Sequence, residues 1–199
     1  AVSRGLGDVY KRQYINSPIN ITRIEVWITN RSSETDDVRN LVAFQDLGEN
    51  FPQFTVVDDF APDFFIGAVN QNPDNTLNNY DPKNVGQNFL NELIRNISSI
   101  TNGFSYYGNL IREGFDYEVL ENARKLDESE YDFDNRLGYI SLNQPLENDE
   151  VVAVAFQYTI GGNVFQVGEF SNEGDFSSSD NDSTAVSYTH LTLPTTIEV

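Results

Sequence analysis

The chain has no cysteine and no methionine, one histidine, one tryptophan, and only 12 Lys and Arg against 31 Asp and Glu. Each scarcity closes a class of function. Without thiols there is no disulfide framework and no thiolate-bound metal, although the compartment stays open. A formal charge of −19 repels nucleic-acid phosphates and anionic lipid, so neither is expected as a partner. No apolar run approaches the ~20 residues that a membrane-spanning helix requires.

The basic residues that do exist begin with an anomaly. Residues 8–13 read DVYKRQ, and residues 186–190 read VSYTH. The first can be encoded GAT GTG TAT AAG AGA CAG. The reverse complement of that string, shifted by two bases, reads GTC TCT TAT ACA CAT, which encodes the second. Two ends of one protein have no physical reason to be the same DNA read on opposite strands. The string matches a transposase-end sequencing adapter. Residues 1–13 and 186–199 are therefore read as translated adapter flanking a gene truncated at both ends, and are set aside from fold reasoning. The tails carry Arg4, Lys11 and Arg12 against Asp8 and Glu198, so the interior is one charge more acidic than the whole. They also hold His190, the only histidine.

What remains, residues 14–185, suits one domain or one and a half. Residues 21–30, ITRIEVWITN, alternate strictly, with Ile24, Val26 and Ile28 on one side and Arg23, Glu25 and Thr29 on the other. That is a strand with one buried face. Residues 38–46, VRNLVAFQD, place Val38, Val42 and Phe44 together, and the two strands are expected to pair antiparallel. Residues 51–68, broken by Pro52 and Pro62, read as irregular or short extended structure, and residues 70–81, NQNPDNTLNNYD, as a polar loop. Asp81-Pro82 is an N-cap followed by proline at the first helical position. Val85, Phe89, Leu90, Leu93, Ile94 and Ile97 then recur at helical spacing, and Asn102-Gly103 ends the helix.

From residue 122 the pattern is a run of short strands: RKLDESEYDFD, LGYISLNQPL, EVVAVAFQYTI and NVFQVGEFS. Val152, Val154, Phe156, Tyr158 and Ile160 alternate up to Gly161-Gly162, and Phe165 and Val167 alternate after it. Two glycines between such runs predict a two-residue hairpin, because they accept the positive φ of primed turns. Asn135-Arg136-Leu137-Gly138 and residues 145–149 supply further turns. The expected fold is mainly β with one amphipathic helix (α+β), a small antiparallel sandwich-like module. Its expected segments are a mixed β/α region (14–121), a short-strand antiparallel region (122–172) and an acidic linker (173–185).

Chemistry-bearing motifs are few. With no histidine or cysteine in the interior, Ser-His-Asp and Cys-His nucleophile systems are excluded within it. Paired carboxylates of the kind glycosidases use have candidates in Asp58-Asp59 and Glu130/Asp132/Asp134, but adjacent acids follow from this composition alone. Residues 180–183, DNDS, invite calcium yet lack the spacing and bidentate Glu of an EF-hand loop, and read as acidic linker. Gly161-Gly162 has no following helix or lysine and is not a phosphate loop. Asn20, Asn30, Asn96 and Asn181 head glycosylation-type triplets that arise by chance in so Asn/Ser/Thr-rich a chain. Phe64-Phe65 and Tyr106-Tyr107 could stack on sugars, but pairs of this kind are more often core. No catalytic, cofactor-binding or metal-ligating residue and no cofactor is assigned.

Three stretches carry a resemblance: INSPINITRIEVWITNR (15–31), VRNLVAFQDLGE (38–49) and RKLDESEYDFDNRLGYISLNQPLENDEVVAVAFQYTIGGNVFQVGEFSN (124–172). In order and wording they resemble the amino-terminal region of the SprA/Sov proteins of Bacteroidota; residues 53–122 contribute little to the likeness. Those proteins are very large outer-membrane components of the type IX secretion system, also needed for gliding motility. The resemblance implies a β-barrel that passes folded cargo, with other secretion components and transiting cargo proteins as partners and the outer membrane as location. The strands here are short, half-polar and interrupted, unlike lipid-facing barrel strands, which implies a non-spanning, non-catalytic module attached to the barrel. The alternatives are a cell-surface carbohydrate-binding β-sandwich and, behind it, a carboxylate-pair glycoside hydrolase.

Overall fold

A computed structural model describes residues 18–31, 38–44, 72, 74–75, 93, 97–103, 113–114, 117–147, 149–172 and the backbone of 185–186. Within them the chain is mainly β and antiparallel, with one short helix. In chain order the elements are β1 (Ile19–Ile28), β2 (Val38–Phe44), α1 (Ile100–Gly103), β3 (Tyr117–Lys125), β4 (Tyr131–Asp134), β5 (Tyr139–Leu142), β6 (Val152–Ile160), β7 (Asn163–Val167) and β8 (Ala185–Val186). Six strands form one sheet in the order β7-β6-β1-β3-β2-β8, and β4 and β5 form a separate hairpin.

β1 lies inside this sheet, antiparallel to β6 along most of its length and to β3 at its far end. The expected pairing of β1 with β2 is therefore corrected: β3 runs between them, and β2 pairs with β3. Adjacency in sequence suggested a hairpin. β3 fits between the two because it presents Ala123 and Leu120 beside Trp27, Leu41 and Ala43, all at most 3% exposed. Strands from both halves of the chain thus build one sheet, and β3 spans position 122, where the short-strand region was expected to begin. At the far edge β8 runs parallel to β2, its Val186 lying in the tail read as adapter-derived.

Around the middle of β1 both faces of the sheet are covered. On one, Val26, Val152 and Val154 meet Leu126 and Tyr131, with Ile24, Ile28, Phe133 and Ile140 packed around them. This is the Ile24/Val26/Ile28 face read from the alternation, and the β4–β5 hairpin supplies the covering layer. Val26 is 0% exposed, a burial that contributes about 1.5–2 kcal/mol. The opposite face was expected to meet solvent, but Glu25 and Trp27 are 4% and 3% exposed. An internal strand is enclosed on both sides once another segment crosses it.

The turns follow their residues. Gly161 and Gly162 have φ of +57° and +88°, with Ile160 opposite Asn163, so they form the expected two-residue primed turn. The β4–β5 loop closes through Gly138, φ +72°, whose N–H donates to the Asp134 carbonyl at 2.8 Å. The Asp134 carboxylate accepts from the amides of Arg136 and Leu137 at 2.9 and 2.8 Å. Asn122, at φ +52°, inserts an extra residue into β3 opposite β2, and Asn40 Oδ1 accepts its N–H at 2.8 Å. A short amide side chain makes the left-handed conformation accessible there.

The helix expected between residues 81 and 102 falls largely outside the described residues. Near its expected end the described residues hold α1, a single turn finishing at Gly103. Leu93, expected on the apolar stripe, is 47% exposed. Ser99 Oγ donates to the Leu93 carbonyl at 2.7 Å, and residues 97–99 form a turn, so a continuous helical stripe does not reach α1.

Candidate functional site

Two features share the sheet face that carries Trp27. The first is a buried carboxylate. Strand alternation aims Glu25 away from the Val26 core and under the segment that follows β7. Its Oε1 accepts from Arg23 at 3.1 Å, Lys125 Nζ at 3.0 Å and Ser171 Oγ at 3.0 Å, while Oε2 accepts from the Ser171 amide at 2.9 Å. Around this knot the Arg23 guanidinium lies 3.8 Å from the Phe170 ring centre and donates to Asn172 Oδ1 at 2.8 Å. Lys125 Nζ stands 6.0 Å from the Trp27 ring. Burial pushes the Glu25 carboxyl upward, but the Ser171 amide and Lys125 more than offset it and hold the group below its ordinary value. Chemically this is a clasp. It leaves the carboxylate ionised and fully engaged, and fastens residues 169–172 across β1 and β3.

The second feature is a cavity of ≈ 370 Å³ beside Thr29, Leu120, Val151 and Ile100. Its rim carries Glu113, Glu118, Glu121 and Asp149. Burial raises the Glu118 carboxyl above its ordinary value, the charge of Glu113 adds to this, and the Gly114 amide partly offsets both. So acidic a lining disfavours anionic ligands.

A third arrangement lies along the outer edge of β7. Asn75 is 8% exposed. Its side-chain amide donates to the Gly168 carbonyl at 2.8 Å and accepts from the Gly168 N–H at 2.9 Å. Asp74 Oδ1 accepts the Gln166 N–H at 2.9 Å. Tyr158, stacked on Phe165 at 5.3 Å, has its phenol raised by burial and further by the charge of Asp74.

Two of the carboxylates noted in the sequence are engaged in local contacts. Glu130 accepts from Arg124 at 2.7 Å and from the Asp127 amide at 2.8 Å, and the Arg124 hydrogen bond lowers its carboxyl. Asp134 caps its own turn. Asp132 alternates to the side opposite Tyr131 and Phe133 and is exposed. Among the described residues no group of three His, Cys, Asp or Glu could hold a metal ion. Also among them, no helix is long and apolar enough to cross a membrane. Asn20 lies on β1, its Oδ1 accepting from Asn135 at 3.2 Å, and Asn30 follows that strand. Asp58-Asp59, Phe64-Phe65, Tyr106-Tyr107, Asn96 and residues 180–183 lie outside the described residues.

Sequence reasoning missed Glu25, Asp74 and Asn75. Glu25 stood on what read as a solvent face, and Asp74-Asn75 in what read as a polar loop. A charged residue between Ile24 and Val26 was the one available signal for the first. In comparison with known proteins, no family model and no curated protein matches the chain.

Proposed function

We propose that this chain is a non-catalytic structural module of an outer-membrane protein-export translocon of the type IX kind, standing beside a conducting barrel and its transiting cargo. The observation that carries the reading is where the family-like stretches lie. The first forms β1, the second β2, and the third runs from the end of β3 through β7 to Asn172. Glu25 of the first is clasped by Lys125 and Ser171 of the third. The phrases that resemble the SprA/Sov proteins thus supply β1, β2, β4 to β7 and the clasp between them, while residues 117–123 of β3 lie outside them. The described ion pairs and buried carboxylate are spent on internal contacts, which supports a role in holding form.

The test is in-frame removal of residues 14–172 from the gene that carries them, in a gliding bacterium. Secretion of type IX cargo and colony spreading are then measured, with the barrel's abundance followed by immunoblot. The expected result is loss of secretion with the barrel still present. Unchanged secretion and spreading would overturn the proposal, as would glycoside hydrolysis or glycan-array binding by the purified chain.

A further inference from the structure

β7 ends the six-stranded sheet, and its residues 163–167, NVFQV, carry no charge. An uncharged, β-branched and aromatic edge is a template for another strand, and proteins block such edges. Here the hairpin register determines which groups face outward. With Ile160 and Asn163 flanking a two-residue turn, Asn163, Phe165 and Val167 exchange hydrogen bonds with β6. The backbone groups of Val164, Gln166 and Gly168 consequently point away from the sheet.

Two of these three positions are taken by side chains of residues 74 and 75. Asp74 Oδ1 holds the Gln166 N–H at 2.9 Å. Asn75 meets both the N–H and the carbonyl of Gly168, at 2.9 and 2.8 Å, as the backbone of a neighbouring strand would. Gln166 Nε2 adds a 2.9 Å bond to the same carbonyl. Gly168, φ +90°, turns the chain at this point. The contact spans more than 90 residues of sequence, so it is a tertiary feature.

We infer that Asp74 and Asn75 form an edge cap, side chains standing in for a seventh strand, which keeps β7 from pairing antiparallel with β7 of a second copy. A second copy is the occupant the edge fits, because an antiparallel two-fold pairing sets the uncharged NVFQV segment against itself. Val164, 60% exposed, is the outward position that the cap leaves nearest the turn. The chain's charge of −19 opposes association, so the uncapped pair tightens as salt screens it.

The full 199-residue chain carrying Asp74→Ala and Asn75→Ala is compared with wild type by light scattering after size exclusion, at low and high salt, with circular dichroism as the check on strand content. The same double variant is then given Val164→Pro, which removes one outward N–H without touching a bond to β6. The expected result is a monomeric wild type, a salt-strengthened dimer for the double variant with strand content retained, and at least tenfold weaker dimerisation with proline. A double variant that remains monomeric would overturn the inference. So would association that proline does not weaken, since that marks general unfolding rather than edge pairing.

Discussion

Removing the Glu25 carboxylate should cost more than any other single loss of charge among the described residues. Glu25→Ala deletes four hydrogen-bond acceptances, from Arg23, Lys125, Ser171 Oγ and the Ser171 amide. Breaking a buried ion pair by removing one partner costs about 3–5 kcal/mol. Arg23 and Lys125 are 35% and 33% exposed, so their heads partly regain water and the charge loss falls at the lower end. The Ser171 amide loses its acceptor, worth about 1–3 kcal/mol if nothing replaces it. Taken together the expected cost is ~3 kcal/mol, or a fall of about 1.5 M in the urea midpoint for a slope of about 2 kcal/mol per M. Trp27, the only tryptophan in the chain and two residues along the same strand face, reports the transition by fluorescence. The pH dependence has a definite sign. Because the folded group sits below its ordinary value near 4.5, its contribution is full above the unfolded pKa and is lost as pH falls through the folded one. The gap between wild type and Glu25→Ala must therefore narrow on acidification below pH ~4.5. A cost under ~0.5 kcal/mol at pH 7, or a gap that does not close in acid, would refute the clasp.

Glu118 should behave with the opposite sign. Its folded carboxyl is raised, so ionising it costs stability as pH rises, and Glu118→Gln is expected to stabilise the fold by about 0.5 kcal/mol at pH 7 and not at all below pH ~4, as read from urea midpoints at both pH values. Gly162→Ala meets no atom within 4 Å but is held at φ +88°, so denaturant unfolding should register a loss of about 1–2 kcal/mol from backbone conformation alone. Asn122→Gly keeps the bulge at φ +52° and its N–H to Asn40, and its unfolding free energy should change by less than ~0.5 kcal/mol. Asn40→Ala removes the acceptor and should lose about 1 kcal/mol in the same assay.

The features readable without coordinates were local ones. Alternation placed β1, β2, β6 and β7 and the Ile24/Val26/Ile28 face, because a period of two records which side a residue takes. Gly161-Gly162 marked its hairpin and Gly138 its loop, because positive φ is a property of one or two residues. Asp134, read from the sequence only as a candidate carboxylate, proved to cap that loop through the Arg136 and Leu137 amides. Tertiary structure decided the rest. β3 separates β1 from β2 because the apolar fit of Ala123 and Leu120 to Trp27 and Leu41 outweighs nearness in sequence. Glu25 is buried because a segment some 146 residues later crosses its face, and Asp74-Asn75 cap an edge because β7 is last in the sheet. Contacts of that length depend on which surfaces meet once strands have chosen partners, and no local pattern of residues encodes that choice.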